Sequence, residues 1–528
     1  MGGPAREDGH YVRGSLNRAQ RERDLDAVLS GCSAYVDLLV VGGGITGAGV
    51  ALDAASRGYS VLLVERRDLA YGTSRFSSKL VHGGLRYLAN GDVAVAHESA
   101  VERHILMTRT ATHLVRPLTT VLPVYAGTPR SVTAIVQAGL WAGDVLRVSA
   151  GTTGALLPRS RRVDAETVLA HAPELKPRGL RGGFVFWDGQ LEDDARLVLA
   201  VARTAATYGA RVVTRCTARE LSGDGAMLQD ELSGDRFQVS AAAVINATGV
   251  WAGRLVRGLD LRPSRGSHLI LPAAALGNPR CAVAVPIPGE NNRYVFALPE
   301  PADRVFVGVT DEPAHRDLPE VAEPTEEELD FLIGVLDNAL QRPVRRTDVI
   351  GAYAGLRPLV GSGGARTADI SRHHITHRSA DGVVTIVGGK LTTYRRMAAD
   401  AVDAAVSAAG LPWTPSRTAR LPLVGAADRG TLGRLPAPAR LVARYGTEAA
   451  LVVAEADGDP HQLEPLAAGV PATAAELLFG LHHEGALCMD DLLARRTRVA
   501  LVPDDAARVR PAVDDLLGAE LEPLPAQL

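Results

Sequence analysis

At 528 residues the chain is too long for one compact core, and the usual domain size divides it into about three units. A formal net charge of −3, with 22% charged and 46% hydrophobic residues, is ordinary for a globular enzyme and argues against the basic balance of a nucleic-acid binder. No run of about twenty apolar residues occurs, which argues against a membrane-spanning helix.

Cys32, Cys216, Cys281 and Cys488 are scattered, with no C-x-x-C pair and no Cys/His ligand spacing. They read as free thiols in a reducing compartment, with no metal site. The opening residues, rich in Arg, Asp and Gly, lack the apolar core of a secretory signal, so 1–35 is expected to be a disordered extension of a cytoplasmic protein.

Residues 37–65, DLLVVGGGITGAGVALDAASRGYSVLLVE, then read as strand, glycine turn, helix and second strand. Gly42, Gly44 and Gly47 have the G-x-G-x-x-G spacing: one glycine for the tight turn, one for close approach to a pyrophosphate, one for helix–strand packing. Free N–H groups at the helix N-terminus then face the anion. Glu65 closes the unit as a carboxylate able to accept from both hydroxyls of an adenosine ribose. FAD and NAD share this pyrophosphate geometry, so the stretch alone does not choose between them.

The polar segment that follows holds Thr73, Ser74, Ser78, Lys79, His82, Gly83, Gly84, Arg86 and Tyr87. It reads equally as donors to phosphate and a flavin ring or as a solvated loop with helix caps. A helical period covers 93–112, and 117–125 is strand-like. The helix expected over 131–148 has an apolar face whose expected role is core packing, with a membrane-surface contact as the alternative. Strands are expected over 182–188 and 210–217, with an acid-started helix between them. The strand 236–249 ends in Thr248 and Gly249 as an A-T-G element of the kind flavoproteins place against the cofactor.

Short β-rich runs over 265–311 predict an antiparallel sheet, and 324–340 a helix with a charged first turn. After the strand 382–387 come Gly388, Gly389 and Lys390, with a helix starting near Thr392. In a flavin enzyme that N-terminus would sit beside the ring end that gathers negative charge; otherwise it is an ordinary turn. Pro412 and Pro415 mark a linker, beyond which 411–528 reads as helical. The expected domains are 36–110, 190–260 and 350–410 for the nucleotide, 111–189 and 261–349 for the substrate, and 411–528.

VVGGGITGAG, SSKLVHGGLRYL, RGSHLILP, VTD, GLRPL and VGGKLTTYRRMA, in this order, resemble the FAD-dependent glycerol-3-phosphate dehydrogenases over residues 36–528. The resemblance implies an α/β fold: a discontinuous Rossmann-like FAD-binding domain, an antiparallel-sheet substrate domain and a C-terminal helical domain. It implies oxidation of sn-glycerol 3-phosphate to dihydroxyacetone phosphate by hydride transfer from C2 to flavin N5, with electrons passed to a quinone. A peripheral contact with the inner face of the cell membrane and a homodimer are further expectations.

Family positions place substrate binding on Arg86, Tyr87, His268, Arg357, Arg372 and Lys390. Arginine forks and a lysine suit a phosphate dianion. Cofactor binding falls on Gly42, Gly44, Gly47, Glu65, Thr73, Ser74, Ser78, Gly83, Gly84, Thr248, Gly249, Gly389, Lys390, Leu391 and Thr392. Catalysis is assigned to His268 as base, Arg357 steadying the alkoxide, and Lys390. An oxygen-using oxidase and a non-catalytic flavin redox sensor are the competing readings. The anaerobic relatives carry extra cysteine clusters in the C-terminal part, whereas this chain has only Cys488 there, which favours the quinone-linked form.

Overall fold

Val36, Leu38, Leu39 and Val40 have no exposed surface, as befits a parallel strand covered on both faces. They belong to the strand Tyr35–Val41, which pairs in parallel with Val61–Glu65 on one side and Arg236–Asn246 on the other. Arg211–Thr214 and Val384–Gly388 extend this parallel core outward. The strand His374–Arg378 and the hairpin Cys216–Ser222 with Gly225–Asp230 add antiparallel edges. The computed structural model describes residues 13–30, 35–84, 88, 91–290, 293–314, 317–360 and 373–520.

Helices Ile45–Ser56, Asp194–Thr207 and Tyr394–Ala409 cover one face of this sheet through Ala48, Leu52, Val198, Val201, Met397 and Val402. On the other face lies the helix Arg18–Leu29, so the expected disordered extension is corrected there. Asn17 caps it by accepting from the Gln20 N–H at 2.8 Å, Val28 packs on the sheet, and buried Arg21 donates through Nε to the Thr214 carbonyl at 2.8 Å and pairs with Asp230. A helix anchored by a buried ion pair and so few apolar contacts leaves little hydrophobic period to read.

The second sheet runs Glu312–Pro313, Leu261–Pro272, Arg304–Gly308, Tyr294–Glu300, Ala282–Pro286, Val115–Tyr125, Leu180–Leu191, Leu80–Val81. It is antiparallel except where Ala282–Pro286 meets Val115–Tyr125. The helix Glu326–Ala339, started by the Thr325/Glu328 capping box, packs Leu329, Leu332, Val335 and Leu336 on one face.

Gly351–Val360, placed by sequence in the nucleotide domain, instead pairs along its length with Leu261–Pro272. That register sets Tyr353 opposite His268 and Arg357 opposite Ser264. The helix Arg130–Ser149 keeps its expected core packing at Leu140 and Val136, which join a cluster with Leu122 and Phe184, but not along the rest of its apolar face, where Trp141 is 61% and Val148 is 62% exposed. No helix among the described residues is long and apolar enough to cross a membrane.

The C-terminal unit is largely helical, with Ala439–Tyr445, Ala474–His483 and Pro503–Glu520 beside the small hairpin Pro465–Ala467 and Val470–Thr473. Buried ion pairs tie it to the rest of the chain: Arg203 with Glu448 at 2.6 Å, Arg196 with Glu484, and Arg496 with Asp68 at 2.6 Å.

Candidate active site

Close approach, rather than chemistry, dictates the first glycine turn. Gly42 has a φ of +112°, and a Cβ on Gly47 would stand 1.8 Å from the Gly42 carbonyl oxygen. Only glycine lets the helix start so near the strand. Glu65, at the tip of the second strand, accepts from the Gly43 N–H at 2.6 Å and the Arg67 N–H at 2.8 Å; burial pushes its carboxyl above the usual range and these N–H groups oppose the shift. Ser74 Oγ accepts from the Ile45 N–H at 2.9 Å, which brings the polar segment onto the helix N-terminus.

The second glycine turn faces the same space. Gly388 and Gly389 have φ of +81° and +71°, and a Cβ on Gly389 would lie 2.4 Å from Met397 Sδ. Between the two turns runs a cavity of about 1190 Å³, at the large end for ligand sites. Its wall includes Gly42, Gly44, Glu65, Thr73, Ser74, Ser78, Thr248, Gly249, His268, Arg357, Gly389, Lys390, Leu391 and Thr392.

Gly47 acts one layer behind, as a packing residue. Gly83 also stands back from the cavity: its N–H donates to Asp188 at 3.0 Å, and a Cβ there would meet Arg103 Nη1 at 2.4 Å. Gly84, in a left-handed conformation with φ +80°, is likewise outside the lining. Arg86, Tyr87 and Arg372 lie outside the described residues.

His268 is 1% exposed, with Nε2 2.9 Å from Ser78 Oγ and its ring stacked on Tyr353 at a centroid distance of 4.7 Å. The packing is tight enough that a Cβ on Gly308 would lie 2.1 Å from the ring carbon Cδ2. Burial, then the nearby Lys79 and Arg357 charges, hold its pKa well below the ordinary value, so the imidazole is neutral at physiological pH. Arg357 donates to Ser264 Oγ at 3.2 Å and to the Thr310 carbonyl at 3.3 Å, and its Nη1 is 3.4 Å from Asp311 Oδ1. Lys390 Nζ donates to Ser99 Oγ. A neutral base, a guanidinium and an ammonium thus share one cavity wall.

Sequence reasoning assigned no individual site role to several groups here. Lys79 is buried with Nζ 3.5 Å from Asp194 Oδ2 and within 5.2 Å of the Phe306 and 4.9 Å of the Tyr353 ring centres. Burial lowers its pKa and Asp194 opposes that shift. Glu300 accepts from Gln190 Nε2 at 2.6 Å, and burial pushes its carboxyl up to about 8. His82, within the quoted polar segment, also lines the cavity. The cavity continues into a mostly apolar arm bounded by Leu118, Leu122, Phe186, Ala284 and Phe296, with Thr120 and Tyr294 among them, and flanked by Val136 and Leu140 of the helix Arg130–Ser149.

The wall fits a dinucleotide flavin: a glycine turn at a helix N-terminus for the pyrophosphate, Glu65 for the ribose, and a second glycine turn for the ring.

Comparison with known proteins agrees. Residues 37–395 match the family described as FAD dependent oxidoreductase (DAO), and residues 416–525 match the C-terminal domain of alpha-glycerophosphate oxidase. The chain is 52% identical over 502 residues to Glycerol-3-phosphate dehydrogenase 1 of Mycobacterium tuberculosis, covering 94% of this chain and 97% of that protein. It is 34% identical to the mitochondrial Glycerol-3-phosphate dehydrogenase of Macaca fascicularis, covering 97% of this chain and 74% of the relative. The glycerol-3-phosphate dehydrogenase of Bacillus halodurans, solved with FAD, superposes with a TM-score of 0.73 at 26% identity, over 96% of this chain and 94% of that one.

Proposed function

Because this chain belongs to the FAD-dependent glycerol-3-phosphate dehydrogenases, we propose that it oxidises sn-glycerol 3-phosphate to dihydroxyacetone phosphate and passes the electrons to a membrane quinone. When bound, FAD supplies the hydride acceptor. Arg357 and Lys390 bind the phosphate, aided by Arg86, Tyr87 and Arg372 at family positions. Arg357 is held in place by Asp311, Ser264 and Thr310, so little of its freedom remains to be lost on binding. His268 Nε2 takes the C2 hydroxyl proton by relay through Ser78 Oγ, which lines the same cavity wall and stands 2.9 Å from that nitrogen. The ring is neutral beforehand, which leaves it able to accept. His82 is the second reading for the base, favoured by its place in the cavity wall and its smaller burial.

The apolar arm supports a quinone over oxygen. Leu118, Leu122, Phe186 and Phe296 offer no hydrogen-bond partner to a glycerol phosphate, but suit a hydrophobic ring with an apolar tail. The flanking helix Arg130–Ser149 exposes Ile135, Trp141, Val145 and Val148. An apolar stripe of that kind suits the interfacial layer of a lipid bilayer and an acceptor delivered from it. Arg147 contributes no free charge there, because it donates to the Thr152 carbonyl at 2.8 Å and lies 3.5 Å from Asp144.

The C-terminal match to an alpha-glycerophosphate oxidase domain favours the competing reading, an enzyme that reduces oxygen. Measuring peroxide yield against quinone reduction under air with purified enzyme and vesicles separates them. Electrons recovered in quinone with little peroxide is the expected result; stoichiometric peroxide would overturn the acceptor assignment.

A further inference from the structure

Ser77 and Ser78 meet the cavity on a loop whose grip comes from behind. Asp194 Oδ2 accepts from both the N–H and the Oγ of Ser77 at 2.8 Å. Tyr353 donates to the Ser77 carbonyl at 3.1 Å while its ring stacks on His268. Ser78 then stands 2.9 Å from His268 Nε2. The imidazole is therefore placed through Ser78 and Tyr353, and both depend on where Asp194 holds Ser77.

Asp194, which pairs with Lys79 at 3.5 Å, is held from the C-terminal domain as well. Arg498, almost fully buried, has Nη2 3.7 Å from Asp194 Oδ1 and Nε 3.7 Å from Asp193 Oδ1. The same Nη2 donates to the Arg75 carbonyl, directly on the cavity loop, and Nη1 donates to the Ala494 carbonyl at 2.9 Å. Earlier in that loop, Asp68 is clamped by Arg495 Nε at 2.5 Å and by Arg496 Nη1 at 2.6 Å. Leu501 and Val502 pack against Ile270, Phe306 and Tyr353. One short C-terminal stretch thus touches the cavity loop at both ends and the aromatic ring under His268.

We infer that residues 491–502 of the C-terminal domain are a positioning element of the active site, in which Arg498, acting through Asp194 and the Arg75 carbonyl, fixes Ser77 and Ser78 and so the seat of His268. The inference rests on the dehydrogenase reading above. It gives the C-terminal domain a part in turnover without contact with substrate. Reacting groups misplaced by about 1 Å can lose about a hundredfold in rate, so a displaced loop acts on the chemical step more than on substrate capture.

The test uses the full-length, FAD-loaded enzyme, with FAD content and unfolding midpoint measured first and single-turnover bleaching of the flavin by glycerol 3-phosphate second. Arg498→Met is expected to keep FAD while its limiting bleaching rate falls about thirtyfold or more, with the half-saturating substrate concentration changed less than about threefold. Arg498→Lys, which restores a cation beside Asp194 but not the guanidinium fork to the Arg75 and Ala494 carbonyls, is expected to bleach about threefold or more faster than Arg498→Met without reaching the wild-type rate.

A limiting rate in Arg498→Met equal to wild type overturns the inference. So does Arg498→Lys being as slow as Arg498→Met, or an effect confined to half-saturation. Should Arg498→Met fail to fold or load FAD, Ser77→Ala removes the Oγ half of the two-bond link to Asp194, leaving the N–H, and decides: bleaching slowed about threefold or more with FAD retained supports the inference, and wild-type bleaching overturns it. A wild-type flavin that glycerol 3-phosphate does not bleach would overturn the proposed function, and this inference with it, before any variant is compared.

Discussion

At the glycine-turn end of the cavity, a single continuous stretch of residues 37–65 supplies strand, turn, helix and carboxylate, and its work is done by backbone N–H groups and by missing side chains. At the His268 end, the partners arrive from 78, 79, 194, 353, 357 and 498, and the work is done by buried polar and charged side chains that contact one another. The first end depends on close approach, which a single added methyl destroys. The second depends on mutual pairing, where removal of one group leaves others unpaired yet the shell intact. Damage at the two ends is therefore expected to separate into lost cofactor loading and lost turnover with cofactor retained.

The largest effect is expected at Gly47. Gly47→Val places carbon inside contact distance of the Gly42 carbonyl, costs about 3 kcal/mol or more, and yields protein without flavin absorbance and with a lowered unfolding midpoint. A fully FAD-loaded Gly47→Val protein would break the comparison at its first term. Next comes His268→Ala, expected to keep its flavin while reduction by substrate slows by about 10² to 10⁴ in stopped-flow measurement. If His82→Ala slows the step more than His268→Ala, the proton passes to His82 instead.

Arg357→Ala is expected to weaken kcat/KM by about 2–3 kcal/mol, because it removes a phosphate ligand and strands Asp311 without its guanidinium. Steady-state kinetics with FAD-loaded enzyme check this, and an unchanged KM would move the phosphate elsewhere.

Acid should then act on stability in a fixed direction. Burial lowers His268 well below its ordinary pKa and His113 to about 3, so the unfolded chain binds protons near pH 6.5 that the folded chain refuses. Their contribution is present above about pH 6.5 and lost as the pH falls, by about 1 kcal/mol for each imidazole on going from about pH 7 to about pH 5.5. Urea unfolding at the two pH values measures it, and greater stability at the acid value would contradict the burial of neutral rings. The smallest effect is expected at Trp141→Asp, which should cost about 1 kcal/mol in vesicle binding and leave flavin bleaching untouched.

The same contrast explains what could be read from the sequence. Gly42, Gly44, Gly47 and Glu65 were legible because their spacing along the chain is their geometry in space. His268, Arg357 and Lys390 reach one cavity wall, although only family motifs, and no local pattern, singled them out. Lys79, Asp194 and Arg498 look like surface charges in sequence, since burial depends on partners hundreds of residues away. Over 131–148 the helical period was plain, yet periodicity says which face is apolar and never whether anything covers it. The Arg18–Leu29 helix escaped because an ion pair to Asp230 supplies the anchoring that hydrophobic spacing usually reveals.

Anaerobic mixing of the FAD-loaded enzyme with sn-glycerol 3-phosphate, followed by a quinone analogue, tests the central claim most directly. The substrate should bleach the visible flavin band within one turnover, and the quinone should restore it faster than air does. A flavin band unmoved by glycerol 3-phosphate would contradict the account at its root.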